Sequence, residues 1–317
     1  MGHIINTFTK TLLILLTIPG QAFADTNKEV PEAPLSSRTY SLPFLLRGIS
    51  PTNSIRLESV YSFYETNPTK DQGFIQLYTL SASKKISESL AIFIKQAIAH
   101  NNPSGTYKSA HILSNPAIGL LKSITLSEKT KLAFSLTNTI PLGSGKGNTP
   151  NSNDRFANTI AQLARSAMEN SLYATNYTAI IPGIDLALLE KNYSVQFEAN
   201  LFQLIRIDGE AVDKDKYRTN LTLGLSSGLK LTSALNIIGE LRYQRWLNND
   251  SVEKAANPAM DNLTLGIGPR FNFKVSTLTI KPAISYSQAL YGAIAKTNRS
   301  SSSGNYKTIT LDLPVIF

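Results

Sequence analysis

Between residues 53 and 317 apolar side chains recur at every second position, in run after run, and the gaps between runs alternate between short and long. Period-2 alternation marks a strand with two different faces. The apolar phase predicts strands at 53–65, 73–85, 90–100, 114–124, 130–142, 177–189, 193–208, 217–231, 235–246, 262–274, 278–291 and 306–317. Short turns fall at ISES (86–89), TLSEK (125–129), EKN (190–192), TSA (232–234) and VST (275–277). Long polar stretches fall at 66–72, 101–113, 143–176, 209–216, 247–261 and 292–305. A soluble sandwich has no reason to gather its short turns on one side. Outer-membrane barrels do so, with an even strand number in bacterial single chains. The fold class predicted is all-β, a single antiparallel transmembrane β-barrel of about 12 strands with short periplasmic turns and long external loops.

The chemistry of the alternation agrees. In the tenth run Leu263, Leu265, Ile267, Pro269, Phe271 and Phe273 share one face, and Thr264, Gly266, Gly268, Arg270, Asn272 and Lys274 share the other. Periodicity alone does not say which face is inside. Two features favour an apolar exterior: a leader for export, and aromatics near the ends of the apolar faces, among them Tyr61, Phe63, Tyr193, Phe197, Tyr217, Tyr243, Phe271, Phe273, Tyr286 and Phe317, placed as girdle residues.

The leader is MGHIINTFTKTLLILLTIPGQAFAD. Lys10 precedes an apolar stretch from Leu12 to Ile18, and Ala22-Phe23-Ala24 forms an A-x-A cleavage site before Asp25. Residues 1–24 therefore read as a signal peptide, 25–52 as a periplasmic N-terminal segment, and 53–317 as the barrel. Of the 31 basic residues only Lys10 leaves with the leader, so the mature chain carries 30 against 22 acidic ones. No later stretch is apolar for long enough to span a bilayer as a helix. Cysteine is absent, which removes disulfides, thiolate metal sites and cysteine nucleophiles.

Two segments could narrow a pore. Residues 25–52 are either a tether or a partial lumen plug carrying Arg38 and Arg47. The longest loop holds a helical pattern, with Asn153 or Asp154 as cap and Phe156, Ile160, Leu163 and Met168 on one face, and it either folds into the barrel mouth or covers the rim.

The inward phase carries ten basic candidates, Arg56, Lys95, Lys131, Arg206, Arg218, Lys230, Arg242, Arg270, Lys274 and Lys281, against five acidic ones, Glu58, Asp185, Glu198, Glu240 and Asp312. Arg245 and Lys122 fall on the lipid-facing phase, near interfaces. A water-filled lumen with excess Arg and Lys lowers the barrier to anions, because low-dielectric walls focus the field. The function expected is passive passage of small solutes with a preference for anions; the alternative is a non-conducting barrel that binds a ligand or surface through its external loops. An outer-membrane enzyme is disfavoured. His100 and His111, with Ser104 and Ser109 nearby, show no nucleophile elbow and no zinc spacing, and GSGKG at 143–147 lacks the phosphate-loop arrangement. No metal or cofactor is implied, and the charges form no nucleic-acid-binding cluster.

The C-terminal TITLDLPVIF ends on Phe317 and resembles the signal by which the barrel-assembly machinery recognises outer-membrane barrels, although Pro314 is unusual in a closing strand. NPAIGLLKSITLSEKTKLAFSLTNTIPLGSG (115–145) is similar to a strand, turn and strand end of the transporter-like barrels associated with phenol meta-pathway clusters, with Asn115 where Asp is usual. LPFLLRGISPTNSIRLESVYSFYE (42–65) is similar to the first-strand entry of related barrels. The resemblance implies a barrel in a Gram-negative outer membrane, with lipid, the assembly machinery and a small solute as partners. It carries over no functional residue.

Overall fold

The structure, a computed structural model, describes residues 39–65, 72–147, 151–164, 170–209, 216–248, 261–291 and 305–317. The leader, Arg38 and Met168 lie outside them. Twelve antiparallel strands form one sheet: β1 (Ser54–Glu65), β2 (Gln72–Ser87), β3 (Leu90–Pro103), β4 (Ala110–Leu113 and Ala117–Thr125), β5 (Thr130–Thr139), β6 (Tyr177–Leu189), β7 (Tyr193–Arg206), β8 (Tyr217–Lys230), β9 (Leu235–Asn248), β10 (Asp261–Phe271 and Phe273–Val275), β11 (Leu278–Ile280 and Ala283–Tyr291) and β12 (Asn305–Ile316). Among the described residues one α-helix, α1 (Ser152–Ala164), sits between β5 and β6, followed by a 3-10 turn at Asn170–Tyr173.

The sheet closes. β1 pairs with β12 from Ser54↔Ile316 to Glu65↔Asn305 while also pairing with β2 over its whole length, so neither strand offers an unpaired edge. Closure is what permits strands in lipid, where an open edge would leave backbone groups unsatisfied. The Phe317 amide adds a bond to the Asn53 carbonyl at 3.0 Å, which pins the last residue to the start of β1.

The side chains settle inside from outside. Leu57, Leu80, Ile98, Leu120, Leu186, Leu225, Ile267 and Leu311 stand exposed on the outer face, while Glu58, Thr79, Asp185, Ser226 and Asp312, one residue from five of them, are buried. A water-soluble surface does not carry so continuous an apolar belt. Phe63, Tyr193, Phe197, Tyr217, Phe271, Phe273, Tyr286 and Phe317 project outward from the same surface. Arg245 is exposed and Lys122 half-buried on the outer phase, both near strand ends.

Three predicted strands are interrupted. The fourth, expected as 114–124, is two segments flanking Ser114–Pro116. Pro116 has no N–H for the ladder, and Asn115 turns its side chain to the loop instead. The tenth breaks at Asn272, whose amide bonds to the Ala234 carbonyl. The eleventh breaks at Lys281-Pro282, where the Lys281 amide bonds to the Pro314 carbonyl at 2.9 Å. Pro314 therefore faces a matching irregularity in its neighbour.

Candidate lumen site

The short-turn half of the lumen is filled by residues 39–53. Of the two placements open to this segment, tether or plug, these residues take the second. They have no strand or helix partner within themselves, so their backbone groups need other partners, and the barrel wall supplies them. The Thr39 amide and hydroxyl donate to the Glu190 and Lys191 carbonyls in a short turn (3.0 and 2.7 Å). The Phe44 and Leu45 amides both donate to the Glu240 carboxylate (2.8 and 3.2 Å), and the Arg47 amide donates to Glu198 Oε2 (2.9 Å). In the other direction Gln196 donates to the Arg47 carbonyl at 2.8 Å, and the guanidiniums of Arg56 and Arg270 donate to the Pro43 carbonyl at 3.1 and 3.3 Å. Arg56 also bonds to the Phe44 carbonyl. Tyr40 closes the segment on itself: its hydroxyl accepts from the Ile49 amide (3.1 Å) and donates to Gln196 Oε1 (2.8 Å). Burial raises the Tyr40 phenol above its ordinary pKa, which keeps it a neutral donor.

Apolar contacts add to these bonds. Phe44 packs with Ile238 and Ala283 beneath the Arg270 guanidinium, 5.2 Å from its ring centroid, and Ile49 packs with Leu121, Ala133, Ala187 and Leu189. Burying each such side chain contributes roughly 1.5–3 kcal/mol. Glycines on the inward phase of β8 make the room. A Cβ at Gly228 would stand 2.2 Å from Ser41 Cβ, and one at Gly224 would stand 2.9 Å from a Leu46 methyl.

The long-loop half is narrowed by α1. Ala157, Ile160, Ala161 and Ala164 pack on Val60, Ile75, Leu77, Ala97, Ala99 and Ile112, which are inward-facing wall residues of β1 to β4. The helix thus lies within the mouth rather than over the rim. The Asn153 amide bonds to Asn151 Oδ1 at 2.9 Å, so Asn151 caps the helix start in place of the expected Asn153 or Asp154. Phe156 stacks on Tyr107 at 4.0 Å. Asn115 ties down the loop base, donating to the Ser171 and Ala174 carbonyls (3.1 and 2.9 Å) and accepting from the Gly143 amide (2.9 Å). An Asp at this position would have no N–H to donate.

Between plug and loop lies a cavity of about 310 Å³. Its charged lining consists of Arg47, Arg56, Lys95, Arg242 and Lys281 against Glu58 and Glu198.

The remaining sequence candidates distribute as follows. Glu58, Asp185, Glu198, Glu240 and Asp312 are all buried on the inward phase, as are Arg218, Arg242 and Arg270. Asp312 takes Arg56 at 2.8 Å and Arg270 at 2.5 Å; Glu58 takes Arg56 at 3.1 Å, and Glu240 stands 3.7 Å from Arg242. Gln196 donates to Asp185 at 3.0 Å, and Arg218 lies 4.9 Å over the Tyr177 ring. Lys131 is half-buried and donates to Ser50 in the plug at 3.0 Å. Lys95, Lys281, Arg206 and Lys230 are half-buried, the last two at opposite strand ends. Lys274 does not face the lumen. Beyond Asn272 the chain leaves the β9 ladder for a short hairpin with 278–280, on which Phe273, Lys274 and Val275 are all exposed.

His100 and His111 stack at 4.1 Å between ring centroids on paired strands. The Ser104 and Ser109 hydroxyls bond to the Gln72 carbonyl and Asn102 Oδ1, so neither is set against a base.

Inward apolar residues and the β8 wall glycines that face the plug are the functional positions that alternation missed. A signal existed in LPFLLRGIS (42–50), a strongly apolar run that precedes the first strand and matches no strand period.

These features define a class, the closed twelve-stranded antiparallel barrel with an apolar outer belt. Comparison with solved structures bears this out at the level of fold. The chain is similar to an outer-membrane channel from Pseudomonas putida F1 (9% identity, 87% of this chain and 99% of that one, TM-score 0.53). It is also similar to the NanC porin (7%, 83% and 98%, 0.48) and the KdgM porin (7%, 83% and 99%, 0.47). No family model and no curated protein sequence matches the chain.

Proposed function

We propose that this protein is an outer-membrane channel for passive movement of small solutes, with a preference for anionic ones, and that residues 39–53 close its short-turn end. The observation that carries the reading is the cavity with five basic side chains against two acidic ones. In a chamber walled by low-dielectric barrel, such an excess concentrates anions. Arg47 and Arg242 are also suited to holding a carboxylate bidentately. There is no covalent chemistry in this mechanism. A solute entering past α1 is held in the chamber by charge and size, and leaves when the plug backbone detaches from Glu240 and Glu198. Export through a cleaved leader and insertion by the barrel-assembly machinery, with Phe317 as the recognised residue, belong to the same proposal.

The test is reconstitution in planar bilayers under a salt gradient. Conductance steps with a reversal potential of anion sign are expected, and steps of cation sign would sink the electrostatic part while leaving the pore. The extent of the plug's hydrogen bonding favours a second reading, a permanently closed barrel that binds ligand through its external face. That reading requires no steps at any voltage, even from a chain lacking residues 39–50.

A further inference from the structure

Three neighbouring strands carry a group of buried polar side chains outside the charged chamber. Asn220 and Thr222 on β8 stand opposite Trp246 and Gln244 on β9, and Gln244 stands in turn opposite Asn262 on β10. All five are nine-tenths or more buried and lie on the inward phase. Several of their polar atoms have no hydrogen-bond partner: both amide atoms of Asn220, both of Gln244, the Thr222 hydroxyl and the Trp246 indole N–H. Polar groups removed from water and left unbonded cost folding free energy. A wall that keeps six such atoms in one patch is built to be wetted or filled.

We infer that this patch is a binding site for a neutral, hydroxyl-rich solute such as a sugar or polyol. The inference rests on the channel reading alone, independently of its anion preference, and names a solute class for the pore. The donor and acceptor balance selects the class. An anion needs donors only, and would meet the unpartnered acceptor oxygens of Asn220 and Gln244 unfavourably. Each amide instead presents one acceptor beside one donor, the Thr222 hydroxyl does both, and the indole donates. A hydroxyl group also both gives and takes. Vicinal hydroxyls can therefore satisfy adjacent amides, and they displace bound water while reproducing its hydrogen bonds. Arg218 and Arg242 flank the patch on the same strands and inward phase, so a hydroxyl-rich solute that also bears a carboxylate would fit the site together with the chamber.

Trp246 is the only tryptophan in the chain, so its fluorescence reports on this site alone. Mature protein in detergent micelles is titrated with glucose, with maltose and, separately, with sodium acetate. A saturable change with a sugar is expected, with apparent affinity weakened about tenfold or more in Asn220→Ala and in Gln244→Ala, since each leaves solute hydroxyls unpaired. Folding of the variants is checked by the heat-dependent gel mobility of the barrel. Should they not fold, Thr222→Val removes one hydroxyl at nearly constant volume and is expected to weaken binding in the same direction. An unresponsive Trp246, or a response to acetate equal to that with sugar, overturns the inference. The titration needs no conductance. A barrel that binds sugar but never conducts would defeat the channel reading alone, and one that conducts with Trp246 silent would defeat only this site.

Discussion

Asp312 on β12 and Arg270 on β10 meet at 2.5 Å with both side chains fully buried, and the same carboxylate accepts from Arg56 on β1 at 2.8 Å. One carboxylate thus bridges two guanidiniums that also hold the Pro43 carbonyl of the plug, and Glu58 supplies Arg56 with a second partner. Asp312→Ala is expected to destabilise the barrel by about 3–5 kcal/mol, because it leaves the fully buried Arg270 without its carboxylate and takes one of two from Arg56. Urea unfolding of the refolded protein in lipid vesicles measures this, and a loss below about 1 kcal/mol would show that Arg56 and Arg270 find other compensation.

Glu240 accepts two successive plug amides. Glu240→Gln keeps the shape but removes the charge assistance, a loss of about 1.5 kcal/mol or roughly a tenfold rise in the open fraction. Gly228→Val should act in the same direction through sterics, since its side chain would occupy the place of Ser41. Single-channel recording in bilayers gives the open fraction directly. Open times unchanged in both variants would mean that the plug does not gate.

The absence of native cysteine allows a reversible lock. The Ser41 amide donates to Ser194 Oγ at 3.2 Å, which brings these two residues together across the plug and wall. Replacing both with cysteine and oxidising is expected to abolish conductance, and dithiothreitol is expected to restore it. Conductance that persists in fully cross-linked protein would place the solute path elsewhere.

Lys95 projects into the charged chamber. Lys95→Glu exchanges one positive charge for a negative one, changing the chamber from five against two to four against three. The reversal potential in a salt gradient should move toward cations by several millivolts or more, less so at high salt because screening shortens the reach of each charge to about 3 Å at 1 M. An unmoved reversal potential would remove Lys95 from the selectivity-determining set.

Much of the barrel was legible from residue order. Strand existence, turn sidedness and the outward phase of Leu263, Leu265 and Ile267 follow from alternation, because a lipid-facing and a lumen-facing side chain must succeed one another along every strand. The inward phase was harder to read in β1 to β4. There Val60, Ile75, Leu77, Ala97, Ala99 and Ile112 face the lumen yet are apolar, because α1 covers them. Alternation assumes a wet interior, and a helix packed inside makes part of that interior dry.

The sequence by itself determined that this chain is a barrel with two chemically opposite faces, since a period of two is a local property of extended backbone. Only the tertiary structure decided what the inner charges do. Glu240, Glu198, Arg56 and Arg270 read along the chain as a pore lining; in the fold they hold the backbone of residues 39–53, which lie about 150 to 230 positions away from most of them. Contacts across that separation depend on where the closed sheet brings each strand, and no local pattern encodes it. The physical reason is that an extended segment entering a lumen must satisfy its amides and carbonyls with whatever the wall presents.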